Sequence, residues 1–114
     1  MLPPKNRLIK KKDFETVHRL GRFFSFGLLA AKVSRNTREE TRLGFAVGIK
    51  FSKKAVQRNR IKRQLREIVR LNLEKIKPGF DVVVVVRKTQ DELGYAELES
   101  LILGLLQKTG VLKR

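Results

Sequence analysis

The sequence predicts an α+β fold, an α/β sandwich in one domain, with a single sheet layered against helices in the order helix, two or three strands, helix, strand, helix. Three observations carry this. The stretch FDVVVVVR, Phe80 to Arg87, sets β-branched residues side by side, which resists helix and favours a central strand covered on both faces. Two segments, Lys53 to Arg70 and Tyr95 to Leu105, repeat apolar positions at three- and four-residue spacing. The 114 residues contain no repeat, no low-complexity tract and no second composition regime, and a chain of that length buries one modest core.

The elements follow in order. Residues 1–9 carry Pro3, Pro4 and several basic groups and read as an extended or partly disordered basic arm. From Lys11, the positions Phe14, Val17 and His18 share a helical face, and Gly21 is the natural stop. RFFSFGLLAAKVS, residues 22–34, is strand-like, with Gly27 bending it or breaking it into two strands, and Phe23, Phe24 and Phe26 are assigned to the core. After the polar turn SRNTREET, Leu43 to Ile49 alternates loosely as the second long strand of a hairpin. The basic segment KKAVQRNRIKRQLREIVR is the second and longest helix, with Ser52 as its N-cap and Pro78-Gly79 ending whatever helix remains near Lys77. Residues 88–94 form a loop, and Tyr95, Leu98, Leu101, Ile102 and Leu105 mark a third helix that runs to Gly110.

Charge narrows the function. Lys and Arg total 27 against 11 acids, a formal net charge of +16 with a sequence pI near 11.0, while 41% of residues remain hydrophobic. Such a chain folds, yet its self-repulsion is relieved by a phosphate-rich partner, and nucleic acid is the expected one. The absence of cysteine excludes disulfides and thiolate metal sites and fits a reducing compartment, so a cytoplasmic location is expected. No apolar stretch of signal-peptide length follows MLPPKNRLIKKK, and VVVVV and LILGLL fall far short of the ~20 residues of a membrane helix.

On a helical projection the basic segment divides in two. Ile61, Leu65, Ile68 and Val69 fall on one arc, and Asn59, Lys62, Arg63, Arg66 and Arg70 on the adjacent one. A solvated helix face of the ordinary kind would interleave acids, and Glu67 is the one acid present. Lys62, Arg66 and Arg70 stand one turn apart as like charges, each pair costing about 0.2–0.5 kcal/mol in a free helix. A phosphodiester backbone offsets that cost, because Lys and Arg contacts release condensed counterions and arginine binds phosphate bidentately. Ser52 as N-cap, with Lys53 and Lys54 beside free backbone amides, would add an anion site at the helix start. Catalytic groups are missing. His18 is the only histidine, and the acid pairs Glu39-Glu40 and Asp91-Glu92 read as solvated loop residues rather than metal ligands. No protein catalytic residue is expected, and no metal position is assigned.

KKAVQRNRIKRQLRE closely resembles the Arg-Asn-Arg signature of the protein subunit of bacterial ribonuclease P, the ribonucleoprotein that removes the 5′ leader from precursor tRNA. RLIKKKDFETVHRLG is similar to that family's first helix, RLGFAVGIK to the strand before the motif, and FDVVVVVRK to the strand after it, so the likeness covers nearly the whole chain. The resemblance implies a roughly four-stranded sheet with three helices, ordered α-β-β-β-α-β-α, and a left-handed β-α-β crossover around the basic helix. Composition alone would default to the right-handed form. It also implies an accessory subunit of an endoribonuclease, one protein per RNA, with catalysis by the RNA subunit and its Mg²⁺, and with the RNA subunit and precursor tRNA as partners.

By similarity, Arg58, Asn59, Arg60, Lys62, Arg63 and Arg66 face the RNA subunit, with Lys53, Lys54 and Arg70 adding charge to the same surface. Phe14 and Val17 match the family's central cleft, through which the leader strand passes, and His18, Lys32 and Arg87 are placed there with them. Two departures stand out. The family usually carries two lysines directly after the strand that precedes the motif, where this chain has Gly48, Ile49 and Lys50, and His18 stands where an aromatic is common. A structural RNA-binding protein such as a ribosomal one shares the charge, size and missing catalytic groups. A helix-turn-helix DNA-binding protein calls for a short second helix and a tight turn that the sequence lacks.

Overall fold

In the computed structural model, which describes residues 2–48, 51–87 and 94–113, a four-stranded sheet separates one short helix from two long ones. Helix α1 spans Lys11–Leu20, strands β1, β2 and β3 span Arg22–Phe26, Leu29–Arg35 and Arg42–Val47, helix α2 spans Ala55–Leu71, strand β4 spans Phe80–Val86, and helix α3 spans Tyr95–Thr109. The element order agrees with the predicted α-β-β-β-α-β-α.

Gly27, at a φ of 60°, sits in the left-handed region and lets the chain reverse in two residues, so that Phe26 pairs with Leu29. The predicted break of residues 22–34 into two strands is therefore a β1–β2 hairpin. Pairing of β3 back onto β2 does not occur. The strand order is β1-β2-β4-β3, with β4 antiparallel to β2 and parallel to β3. The physical reason lies in the valines: an edge position would leave the most apolar strand with one unpaired ladder, whereas the centre satisfies both of its edges. The chain accordingly crosses from β3 through α2 before returning as β4.

Strand parity sorts the side chains. Leu29, Ala31 and Val33 of β2, Leu43, Phe45 and Val47 of β3, and Val82, Val84 and Val86 of β4 share the face that packs against Ile61, Leu65, Ile68 and Val69 of α2 and Leu98, Ile102, Leu105 and Leu106 of α3. The four α2 residues are those the projection assigned to the core. Among the described residues, the opposite face is covered by α1, with Leu8 of the N-terminal segment beside Phe14 over Gly44. At 10 residues this helix is about 15 Å long, too short to roof the sheet. Val85, expected to be buried on a doubly covered strand, is 40% exposed for that reason.

The N-terminal segment is docked rather than free. Leu2 and Leu8 are buried, the Leu8 amide donates to the Leu43 carbonyl at 2.9 Å, and Asn6 donates through its carboxamide to the Thr41 carbonyl at 3.0 Å. The segment lies along the outer edge of β3 and shields part of that otherwise unpaired edge. The three phenylalanines assigned to the core divide by parity. Phe24 packs against the core, and Phe26 on the same face lies over Gly104 of α3 and is 40% exposed at the sheet edge. Phe23 on the opposite face is 59% exposed because β1 is an edge strand that extends beyond the cover of α1.

Candidate nucleic-acid interface

Two surfaces on opposite sides of the sheet hold the residues singled out in the sequence. The first is α2. Its apolar arc faces the sheet, and Asn59, Arg60, Arg63 and Arg70 are exposed beside it, with Lys62 and Arg66 half-buried along the margin. Half-burial suits long cationic side chains, whose methylenes cover apolar surface while the charge reaches solvent. Arg70 is paired with Glu67 one turn back, a contact that raises the arginine's pKa and lowers the glutamate's, in each case first through the side-chain hydrogen bond. Arg60, Lys62, Arg63 and Arg66 form no ion pair among the described residues. Arg58 folds back, donating from Nη1 to the Ser52 carbonyl at 2.9 Å, and so braces the turn that leads into the helix.

Ser52 is not the N-cap. That position belongs to Lys54, which has no side-chain capping hydrogen bond, while Ser52 Oγ accepts from the Lys54 amide at 3.1 Å and donates to Gln57 Oε1. The helix begins two residues beyond the sequence expectation because the serine closes a local turn instead. Lys53 and Lys54 are exposed at this end; Ile49, Lys50, Asp91 and Glu92 lie outside the described residues.

The second surface is the open face of the sheet. His18, Phe23, Ala30, Ala31, Lys32, Val83, Val85 and Arg87 line a concavity of about 210 Å³ between α1 and the strands. Its floor is apolar and its rim cationic. Lys32 Nζ donates to the His18 carbonyl at 2.7 Å, tying β2 to the end of α1, and the Arg87 guanidinium stands 5.6 Å from the centre of the Phe23 ring, within cation–π range. The structure thus brings His18, Lys32 and Arg87 together. Phe14 and Val17 are not on the lining. Val17 is wholly buried, and the Phe14 ring lies over Gly44, where a Cβ would come within 2.4 Å of Cζ. These two side chains hold α1 on the sheet; a helix needs such anchors before it can form one wall of a groove.

A charged clamp assists them. Arg42 of β3 donates to both carboxylate oxygens of Asp81, at 3.0 and 2.7 Å, and to Asp13 of α1 at 3.2 Å. Asp81 raises the arginine's pKa first through this hydrogen bonding, against the opposing effect of burial. Asn36 completes the cluster by donating to Asp81 Oδ1 at 2.8 Å. Among the described residues no three His, Cys, Asp or Glu side chains gather as a metal cage, and Asp13 and Asp81 are already engaged by Arg42.

Phe23, Val83 and Val85 were missed as lining residues. The signal was available in the two-residue period: Val83 and Val85 share the parity of Arg87, and Phe23 pairs directly with Lys32.

The geometry matches known proteins. Residues 2–110 match the family model described as Ribonuclease P. The chain is 38% identical over 107 residues to the ribonuclease P protein component of Clostridium botulinum (strain Loch Maree / Type A3), covering 93% of this chain and 96% of that one. It is 39% identical to the same component of Alkaliphilus oremlandii, covering 94% and 93%. Among solved structures, the RNase P protein from Thermotoga maritima in complex with 1-(4-fluorophenyl)-2-thiourea superposes with a TM-score of 0.82 at 33% identity, over 90% of this chain and 98% of that one. The Staphylococcus aureus RNase P protein shares the fold at a TM-score of 0.86 and 24% identity, over 95% and 98%. With its basic helix on one side of the sheet and its concave face on the other, the chain belongs to the ribonuclease P protein family.

Proposed function

We propose that this chain is the protein subunit of ribonuclease P, binding the catalytic RNA subunit through α2 and the 5′ leader of precursor tRNA through the open face of the sheet. One observation carries the reading: Arg60, Lys62, Arg63 and Arg66 stand beside a fully packed apolar arc without a carboxylate partner among the described residues. A row of like charges held by the fold calls for an external polyanion, and the helix can bind one without giving up its packing. Lys53, Lys54, Asn59 and Arg70 extend the same surface, and Arg58 supports its entry turn.

The concave face suits a single strand rather than a duplex. Phe23 offers a ring for base stacking, Lys32 and Arg87 offer charge to the phosphates, and Val83 and Val85 form a floor that a flat base can lie against. Sequence-tolerant stacking of this kind fits a leader whose sequence varies from one precursor to another. Hydrolysis in this reading belongs to the RNA subunit, which also holds the Mg²⁺ that supplies Lewis-acid stabilisation of the departing oxygen. The protein's part is to bind, orient and neutralise phosphate charge. One protein per RNA, acting in the cytoplasm, completes the reading. No helix of the described residues is long and apolar enough to cross a membrane.

The test is reconstitution with a bacterial ribonuclease P RNA at low Mg²⁺. The protein is expected to stimulate cleavage of precursor tRNA and, in the complex, to favour precursor over mature tRNA. Failure to stimulate cleavage refutes the reading, and equal binding of precursor and mature tRNA would assign the chain to general RNA scaffolding.

A further inference from the structure

A second concavity lies between α2 and the first turn of α3. Arg60, Arg63, Gln64, Arg66, Glu67 and Tyr95 line it, and its volume is about 560 Å³, within the ~300–1,000 Å³ typical of ligand sites. Arg60, Arg63, Gln64 and Glu67 recur at the three- and four-residue spacing of one helix face, so α2 presents them as a stripe. Tyr95 forms the facing wall. It is the first residue of α3 and is 39% exposed, although an aromatic side chain at a helix start gains most by burial. Its position is fixed by the turn it begins, in which the Gly94 amide donates to Glu97 Oε2 at 2.9 Å. Gln64 also lines the groove, and its Oε1 is shielded from solvent and meets no hydrogen-bond donor among the described residues. Shielded polar atoms of that kind are rare and call for a partner.

We propose that this groove takes one unstacked nucleotide of the RNA subunit, with its base against Tyr95, its edge hydrogen-bonded to the Gln64 carboxamide, and its phosphates held by Arg60, Arg63 and Arg66. The inference rests on the reading of α2 as the RNA-subunit face and adds α3 to it. An exposed ring flanked by arginines suits a nucleobase, because the ring stacks on any base while the guanidinium groups neutralise the backbone on either side. An RNA helix offers no such base. The groove therefore selects a bulged or single-stranded position, and it explains why a surface of pure charge carries an aromatic side chain and a carboxamide at its centre.

Tyr95 is the only tyrosine of the chain, and there is no tryptophan, so intrinsic emission reports on this groove alone. The affinity of a bacterial ribonuclease P RNA for the wild-type protein, for Tyr95→Leu and for Tyr95→Phe, each measured across a salt series, tests the proposal. Tyr95→Leu is expected to weaken binding about 5- to 150-fold, the range of one base stack, with the salt slope unchanged because no charge is lost. Tyr95→Phe is expected to bind within about 2-fold of wild type, and the RNA is expected to quench the tyrosine emission. If Tyr95→Leu binds as wild type while Arg63→Ala/Arg66→Ala is impaired, the groove is not a nucleotide site and the RNA-binding role of α2 stands. If neither variant is impaired, the assignment of α2 fails as well.

Discussion

The two faces of the sheet are built from the same residue type on the same strand and meet opposite fates. Val82, Val84 and Val86 point to α2 and α3 and are 0%, 0% and 4% exposed, while Val85, one residue away on the other face, is 40% exposed. One face is a closed core and the other is a half-roofed groove. The difference teaches that close packing and a concave surface are separated across a single layer of backbone: the closed face supplies the burial that tolerates sixteen excess positive charges, and the open face, half covered, keeps a concavity lined by His18, Lys32 and Arg87.

That separation can be broken most forcefully at the clamp that holds the roof. Arg42→Ala leaves Asp81 buried without its guanidinium and releases Asp13 of α1, with an expected loss of about 3 kcal/mol in urea unfolding. Hydrogen exchange should show α1 opening first. An α1 as protected as in the wild type would mean that Phe14 and Val17 hold the helix unaided.

A comparably large effect is expected on binding instead of stability for Arg63→Ala/Arg66→Ala. The slope of log affinity for a ribonuclease P RNA against log salt should fall by about two, with the thermal transition preserved. An unchanged slope moves the RNA face off α2.

The valines allow a finer comparison, because Val→Thr replaces one methyl with a hydroxyl of similar volume. Val84→Thr places that hydroxyl in the closed core and is expected to cost about 1–3 kcal/mol, whereas Val85→Thr faces the groove and should stay within about 0.5 kcal/mol. Equal costs would mean that the open face is as dry as the closed one. Smallest in stability is Phe23→Ala, expected to be neutral to within about 0.5 kcal/mol and to weaken the preference for precursor carrying its leader by about 1–3 kcal/mol. A destabilised protein that still prefers precursor would return Phe23 to the core.

Much of this was legible from spacing alone. The apolar arc of α2 was readable because a helix imposes its own period: Ile61, Leu65, Ile68 and Val69 are buried as the projection requires. The hairpin break at Gly27 was readable because a two-residue reversal needs a positive φ that glycine supplies without strain. Ser52 was misassigned because serine serves equally well as a helix cap or in a local turn, and the choice depends on where the preceding chain arrives. Phe23 was misassigned because aromatic character predicts burial only when something lies opposite, and nothing in RFFSF tells an edge strand from a central one.

By itself, the amino-acid order determined the periodic features: which segments are helix or strand, which arc of the basic helix is oily, and the excess of cation over acid that calls for a polyanion. Only the tertiary structure decided which of two neighbouring valines is wet, that β4 inserts between β2 and β3, and that Phe23, rather than Phe14 or Val17, lines the groove with His18, Lys32 and Arg87. The reason is range. Helical and strand periods act over a few residues and are written along the chain. Sheet order and the reach of a short helix over a sheet depend on contacts between segments tens of residues apart, and those exist only once the layers have packed.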